Sequence, residues 1–324
     1  MKSFNIFMNR IIDYAGMFPP ANLELHPAFK NYLEYIDSED EWMMDKFICS
    51  MKSFTSFADK DSDVFSMIKD YDSERCVSFS LLLTGGKTAK EFLNSLEADL
   101  KLVKEFTEND NNTEVNSFEV KLPDELFAKH NTNGLKTFLN DSYDMLNGFD
   151  MQDGMIFFEP LINDNFEFVF EKLAHISAEI ENKGRFGFKL RTGGITPELF
   201  PSTEQVSFAL KTCKENNVMF KATAGLHHPL RHYNDSVSTK MHGFLNVFGA
   251  GILAYSNQLS LKEINDIVKD ERAESFIFKD EEFRWNDIPA NANSITKARN
   301  EFVRSFGSCS FDVPKDDLKQ LNLL

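Results

Sequence analysis

Residues 186–225 read FGFKLRTGGITPELFPSTEQVSFALKTCKENNVMFKATAG, and this stretch decides the fold. Two short β-like runs, Phe186–Arg191 and Met219–Thr223, stand at its ends. Between them, Ser202 followed by Gln205 has the spacing of a capping box, which predicts the beginning of a helix. A strand, a helix and a second strand in this order predict a βαβ unit with two parallel strands.

The same alternation of short apolar runs and longer amphipathic stretches continues along the chain. Residues Thr88–Phe106 and Phe166–Asn182 have the periodicity of helices. Further β-like runs, each bounded by Gly, Pro or polar residues, lie at Ile11–Asp13, Phe47–Met51, Val77–Leu83, Ser117–Leu122, Met155–Leu161 and Ser275–Phe278. Together with the first two runs they bring the count to eight, which predicts an α/β fold of the TIM-type (β/α)8 barrel class, whether regular or irregular.

The breaks with linker character are short, so we expect a single barrel domain over residues 1–324. An open doubly wound sheet has the same alternation of strands and helices. It is disfavoured because no G-x-G-x-x-G motif follows the first predicted strand.

Composition restricts the class of partner. The 324 residues carry 51 acidic and 35 basic side chains, a formal net charge of -16, which opposes binding to a phosphate backbone. The longest apolar stretch, Val247–Tyr255, is too short to cross a bilayer, and no secretory signal is legible. Four scattered cysteines suit reduced thiols. We therefore expect a cytoplasmic protein whose partner is a small molecule rather than nucleic acid or a membrane, and the 33 phenylalanines leave a homo-oligomeric contact open.

Polar residues fall two apart near the ends of several predicted strands, and residues two apart share one face of a strand. These pairs are Glu119 and Lys121, Lys189 and Arg191, and Lys221 and Thr223, while Glu159 ends its own run. In a parallel barrel the carboxyl ends of the strands form the active-site mouth, so we expect these side chains to converge there. The alternative is that they pair inside the barrel as a structural ion network.

Lys221 is the preferred reactive residue, with two roles open. Beside another cation its pKa would fall, and the neutral amine would attack a carbonyl to form a Schiff base. A protonated Lys221 would instead stabilise a phosphate, carboxylate or enolate. We expect Lys189 and Arg191 to bind the anion. Further predicted substrate-binding residues are Thr192, Gly193, Gly194, Thr223, Gly225 and Arg231.

Proton transfer is assigned to Glu159 or Asp13, with His228 and His242 as competing acid/base residues. His242 precedes an apolar helix that ends near Tyr255, and we expect it to face the mouth.

Four of the seven histidines, His227, His228, His232 and His242, lie within sixteen residues after the Lys221 strand. Imidazoles bind zinc, iron and manganese, and Asp13, Glu119 or Glu159 could complete a coordination shell. No H-E-x-x-H motif accompanies them. A divalent metal is therefore an alternative, and solvated or carbonyl-bonded histidines are the other.

Several blocks together resemble a bacterial family of conserved hypothetical proteins of unknown function. The blocks are DYAGMFPPA (13–21), KLRTGG (189–194), KATAGLHHPLRH (221–232), HGFLN (242–246) and SFGSCSFD (305–312). They span nearly the whole chain but imply no activity. A looser local likeness is to deoxyribose-phosphate aldolase, a barrel enzyme with a Schiff-base lysine. There the two lysine stretches occur in the opposite chain order, so the likeness implies only paired strand-end lysines.

The leading hypothesis is a lyase or isomerase that acts on a small anionic carbonyl compound, phosphorylated or carboxylated, and requires no cofactor. The alternatives are a hydrolase or lyase with a divalent metal on the His227–His242 cluster, and a non-catalytic binder of an anionic metabolite.

Overall fold

The computed structural model describes residues 1–71, 75–108, 112–127, 132–160, 163, 166–179 and 185–324. Its centre is a closed barrel of eight parallel strands surrounded by helices, which confirms the TIM-type prediction. The strands in the described residues are β1 Ile12–Tyr14, β2 Met44–Ser50, β3 Val77–Leu82, β4 Thr113–Lys121, β5 Met155–Glu159, β6 Phe186–Arg191, β7 Met219–Thr223, β8 His232–Asn234, β9 Thr239–Met241, β10 Phe276–Phe278, β11 Glu282–Trp285, β12 Ile288–Asn291 and β13 Val303–Ser308. Around the barrel they follow the order β1, β13, β7, β6, β5, β4, β3, β2.

Seven of the eight predicted runs correspond to barrel strands. Ser275–Phe278 contains a strand, but its predicted place in the barrel is wrong. Phe276–Phe278 pairs antiparallel with β11, which in turn pairs with β12, in a separate three-stranded sheet. Only three residues separate β10 from β11, which suits a hairpin, whereas a parallel neighbour requires a long crossover. The eighth barrel strand is β13, and it closes the barrel between β7 and β1.

Helices cover the outside of the barrel. In the described residues they are α1 Lys2–Met8, α2 Leu25–Ile36, α3 Met51–Ala58, α4 Asp63–Lys69, α5 Ala89–Thr107, α6 Thr132–Gly148, α7 Phe166–Glu179, α8 Thr203–Glu215, α9 Phe244–Ser256, α10 Leu261–Lys269, α11 Ala292–Glu301 and α12 Asp312–Gln320. The predicted capping box is present at α8, where Ser202 accepts from the Gln205 N–H and the Gln205 side chain accepts from the Ser202 N–H. The two predicted helices are confirmed as α5 and α7, while residues 161 and 180–182 lie outside the described residues.

None of the helices in these ranges combines the length and the apolar content that a membrane crossing needs.

Strand alternation separates an apolar outer face from a polar interior. Outward-facing phenylalanines contact the helices, as in the rings of Phe188 and Phe170 with centroids 4.3 Å apart and those of Phe158 and Phe138 at 6.3 Å. The residues between them along each strand, such as Lys189 and Lys221, point into the barrel and are paired in register between β6 and β7. The apolar core therefore lies between barrel and helices, and charged side chains occupy the barrel itself.

The loops after β6 and β7 approach each other closely at the mouth. Gly225 has φ +73°, a conformation that L side chains rarely adopt, and a Cβ there would lie 3.0 Å from the Gly193 Cα and 3.1 Å from the Thr192 carbonyl oxygen. Thr192 closes the same junction, because its Oγ1 donates to the Thr223 carbonyl at 3.1 Å. These contacts hold together two strand ends that contribute to the site.

We expect Gly225→Ala to lower the free energy of unfolding by about 1–3 kcal/mol, because both its backbone conformation and its close packing disfavour a side chain. Gly148→Ala is the matched control, since a Cβ at Gly148 meets nothing within 4 Å and α6 favours alanine. The control should be neutral or stabilising by about 0.4–1 kcal/mol. Urea unfolding of both variants measures the difference, and equal effects would contradict the prediction.

Candidate active site

A large cavity opens at the carboxyl ends of the barrel strands. Its volume is about 1460 Å3. Of the residues predicted for the site, Glu159, Lys189, Arg191, Gly194, Thr223, Gly225, His227 and His228 line it. Phe18, Pro19 and Pro20 from the loop after β1 also line it and form the rim on that side. The predicted convergence of strand ends on one mouth is therefore present for these residues.

The deepest predicted residues form the inner half of an ion network. Lys221 lies between two carboxylates, with its Nζ 2.7 Å from Asp13 Oδ2 and 2.5 Å from Glu119 Oε1. All three side chains are buried, with exposed fractions of 1%, 0% and 1% for Lys221, Asp13 and Glu119. Hydroxyls complete the shell, since Ser305 donates to Asp13 at 2.6 Å and Ser80 donates to Glu119 at 2.8 Å.

The network continues outward to the cavity. Lys189 Nζ lies 2.9 Å from Glu119 Oε2 and 2.7 Å from Glu159 Oε2, and Arg191 Nε lies 3.0 Å from Glu159 Oε1. The sequence of charges is thus Asp13, Lys221, Glu119, Lys189, Glu159 and Arg191, with the sign alternating at every step. Arg191 is the outermost member, and its side chain is 38% exposed.

The pairing keeps these groups charged in spite of their burial. Burial lowers the pKa of the Lys221 ammonium. The carboxylates of Asp13 and Glu119 raise this pKa by more than burial lowers it, so the net pKa is above its ordinary value. Burial raises the pKa of the Glu119 carboxyl, but Lys189 and Lys221 lower it by more, so the net pKa lies below its ordinary value. The pKa of the Glu159 carboxyl is lowered in the same way by Lys189 and Arg191.

This result corrects the expected chemistry of Lys221. A Schiff-base nucleophile needs a lowered pKa, and the pKa of Lys221 is raised because its neighbours are carboxylates rather than cations. Lys221 is also absent from the cavity lining, as is Asp13. Both residues are thus members of an ion network, as the alternative interpretation of the sequence expects, and a catalytic role for either stays a prediction.

Arg191 leaves part of its charge available to a ligand. Its Nε donates to Glu159, while its two terminal nitrogens have no hydrogen-bond partner among the described residues. The guanidinium lines the cavity, and its planar end is suited to bidentate binding of a carboxylate or phosphate.

His228 is oriented by a carboxylate that sequence reasoning missed. Its Nδ1 lies 2.5 Å from Oδ2 of Asp317 on α12, and its ring lines the cavity. Because a carboxylate accepts the Nδ1 hydrogen, Nε2 is the basic nitrogen of the neutral ring. No partner of Nε2 occurs in the part of the chain that the structure describes. This is the arrangement that a general acid/base requires.

His227 faces a different neighbour. Its Nδ1 lies 3.4 Å from Ser308 Oγ and 3.8 Å from Cys309 Sγ, and burial, with the nearby His228, lowers its pKa to about 4. Burial also raises the pKa of the Cys309 thiol, so the thiol stays protonated at neutral pH. The pair lines the cavity without the features of an activated nucleophile.

Several predicted residues lie away from the cavity. Arg231 forms an ion pair with Glu271 at 2.9 Å, and His232 Nδ1 lies 3.0 Å from the Leu230 carbonyl. Thr192 and Gly193 pack in the junction between the β6 and β7 loops. None of these four residues lines the cavity, although Asn234, Val237 and Met241 of the following β8–β9 segment do.

The prediction that His242 faces the mouth is wrong. It precedes α9, as expected, but is 1% exposed and lies 2.8 Å by Nε2 from the Pro201 carbonyl. Its Nδ1 is buried without a hydrogen-bond partner among the described residues. Burial lowers its pKa to about 4. His242 is therefore a neutral residue of the core.

The four clustered histidines do not assemble a metal site. Among the described residues, no group of three or more His, Cys, Asp or Glu side chains is placed to hold a metal ion. His228 and His232 are close, with ring centroids 4.5 Å apart, but the carboxylates in the barrel are each paired with a cation.

The sequence analysis missed two residues of the site, Ser80 and Asp317, and only Ser80 has a local sequence signal. Ser80 belongs to the alternating run Val77–Leu82, where serines two apart indicate a polar inward face. Asp317 follows 89 residues after His228 in a charged helix that resembles any solvated surface helix. No local pattern links it to the mouth.

The chain matches no protein-family model, and a comparison with curated proteins finds no match. The resemblance of its sequence blocks to a family of unknown function stays a prediction.

We expect Lys221→Met to lower the free energy of unfolding by about 3–5 kcal/mol, because it leaves Asp13 and Glu119 buried around a missing cation. Lys211→Met is the control, since it removes only the surface pair with Glu215 and should cost about 0.5 kcal/mol or less. Denaturant unfolding followed by circular dichroism measures both. A cost for Lys221→Met no larger than that of the control would contradict the prediction.

Stability should fall as the pH is lowered from about 6.5, the pKa of an unfolded histidine, towards about 4, the pKa of His227 and His242 in the fold. In this interval the unfolded chain binds protons that the folded chain does not, so acid favours unfolding. His242→Gln keeps a donor for the Pro201 carbonyl and should reduce the slope by up to about 1.4 kcal/mol per pH unit.

The same unfolding series on His26→Gln is the control, because His26 is exposed on α2 and this substitution leaves His242 and its contact with the Pro201 carbonyl in place. Identical slopes for the wild type and His242→Gln would show that His242 does not titrate with unfolding.

Proposed function

We propose that the protein is an enzyme that performs lyase or isomerase chemistry on an anionic carbonyl compound bound in the mouth cavity. The observation that carries this proposal is the presence of two complementary groups in one cavity. Arg191 offers the free end of a guanidinium, and His228 offers a ring nitrogen whose ring is fixed by Asp317. An anion-binding cation and an oriented acid/base are the two groups that enolisation of such a compound requires.

The residues have distinct roles in this reaction. Arg191 binds the carboxylate or phosphate, and His228 Nε2 removes a proton from the carbon next to the carbonyl. The electron pair of the broken C–H bond forms a C=C bond, and the carbonyl π electrons move to oxygen. Lys189, which its two carboxylate neighbours keep protonated, supplies positive charge to the floor of the cavity near the enolate.

The protonated His228 then completes either reaction. When the deprotonated carbon carries a hydroxyl, that hydroxyl passes its proton to the enolate oxygen and becomes the new carbonyl, while the former carbonyl carbon takes the proton from His228, which gives an isomer. When the next carbon carries a leaving group, the enolate oxygen re-forms the carbonyl and the C=C electrons form a double bond to that carbon. The leaving group then departs with the electron pair of its bond and the proton of His228, which gives a lyase product. The carboxylates of the network are unsuited to the base role, because Glu159 is paired with Lys189 and Arg191 and the pKa of its carboxyl is lowered.

Proton exchange in D2O tests this chemistry without knowledge of the natural substrate. We expect the wild-type protein to exchange the α-protons of at least one member of a panel of 2-oxo acids and aldose and ketose phosphates, as measured by proton NMR. His228→Gln should reduce the exchange rate by a factor of about 100 or more, because the base is removed. Asp317→Asn should lower the rate, because the ring loses the carboxylate that orients it.

His175→Gln is the control, since His175 is 72% exposed on α7 and outside the cavity, and it should keep wild-type rates. Tight retention of an anionic compound with no exchange of any panel member would favour the alternative of a non-catalytic binder.

A further inference from the structure

Six of the apolar side chains that line the mouth cavity lie beyond the ends of the barrel strands. They come from segments that follow four neighbouring barrel strands, β1, β13, β7 and β6. These residues are Phe18, Val313, Val237, Met241, Ile195 and Leu199. His228 lines the same cavity.

Three of these side chains are exposed although they are large and apolar. Ile195, Leu199 and Val313 are 69%, 40% and 38% exposed. They make up three of the eight large apolar side chains that are exposed in the described residues, and all three line this one cavity. Exposed apolar surface that is gathered at one site marks the binding of an apolar group, because its burial is favourable.

Charged and polar groups are interspersed with apolar side chains in the rest of the cavity. Lys189 and Arg191 lie at strand ends, and Thr84, Lys87 and Lys121 line the side formed by β3 and β4 together with Leu82, Leu83, Val120 and Leu122. An anionic head group on Arg191 would therefore have hydrocarbon surface within the same cavity. A polyhydroxylated ligand would place hydroxyl groups against Ile195 and Leu199 without hydrogen-bond partners there.

The cavity is large enough for a ligand that has a carbon skeleton beyond its anionic head group. Its volume of about 1460 Å3 exceeds the roughly 300–1,000 Å3 of ordinary small-molecule sites. A compound with only a few carbon atoms would leave the apolar rim uncovered.

We propose that the substrate is an anionic carbonyl compound whose body is a hydrocarbon chain rather than a polyhydroxylated sugar. The chain lies against Ile195, Leu199 and Val313, and the anionic group binds Arg191. The carbonyl part of this statement rests on the proposed function, whereas the hydrocarbon part rests on the cavity alone.

Isothermal titration calorimetry with acetate, butanoate, hexanoate, octanoate and gluconate tests this inference. Gluconate is the matched probe for hexanoate, because it has the same carbon chain and head group but carries hydroxyls. The dissociation constant should fall about threefold to fourfold for each added methylene, and hexanoate should bind more tightly than gluconate. Ile195→Ser and Leu199→Ser should flatten the dependence on chain length, and Arg191→Met should abolish binding of every acid.

Leu261→Ser is the control, since Leu261 is 42% exposed at the start of α10, outside the cavity, and should keep the wild-type dependence. Absence of binding by all the acids, a dissociation constant independent of chain length, or gluconate binding as tight as that of hexanoate would overturn the inference. Chain-length dependence without any α-proton exchange would leave the inference standing and remove the proposed function. Exchange confined to polyhydroxylated carbonyl compounds would support the proposed function and overturn the inference of a hydrocarbon body.

Discussion

Three carboxylates and three cations alternate through the interior of the barrel, from Asp13 on β1 to Arg191 at the end of β6. TIM barrels ordinarily fill this space with layers of branched apolar side chains. Here each buried charge has an opposite charge within 3.0 Å. This pairing offsets the free-energy cost of removing the charges from water. The members come from five strands, so the network requires the closed barrel and its register. The apolar helices can cover the barrel only because the charges point away from them.

The same network decides what the mouth can offer a ligand. Its inner carboxylates and lysines are engaged with one another, and Asp13 and Lys221 do not line the cavity. Only at the outer end is a cation incompletely paired, and the terminal nitrogens of Arg191 face the cavity. The proposed reaction therefore takes its acid/base from outside the network. His228, fixed by Asp317 on the last helix, is the residue we propose for that role, and it lines the cavity.

Most barrel strands were predictable, because strands buried between a polar interior and apolar helices alternate with period two. The exceptions have local causes. Ser275–Phe278 has the apolar character of a strand, but its neighbour is three residues away, and a hairpin forms. Strand β13 carries Arg304, Ser305, Gly307 and Ser308, so it lacks an apolar run. Its inward-facing Ser305 donates a hydrogen bond to Asp13. Asp13 lies 292 residues earlier in the chain, so no local pattern reveals this partner.

The sequence by itself determined the barrel class, the inward face of most strands and the residue types gathered at their ends, because these depend on periods of two and of about 3.6 residues along the chain. The charge partner of each of those residues is visible only in the tertiary structure. Whether a lysine is a nucleophile or half of an ion pair depends on the sign of the charge within 3 Å of it, and for Lys221 both neighbours are carboxylates from other strands. The pairing of His228 with Asp317 likewise joins residues 89 positions apart. Contacts between residues so far apart in the sequence are set by closure of the barrel. The local periodicity of the sequence contains no information about them.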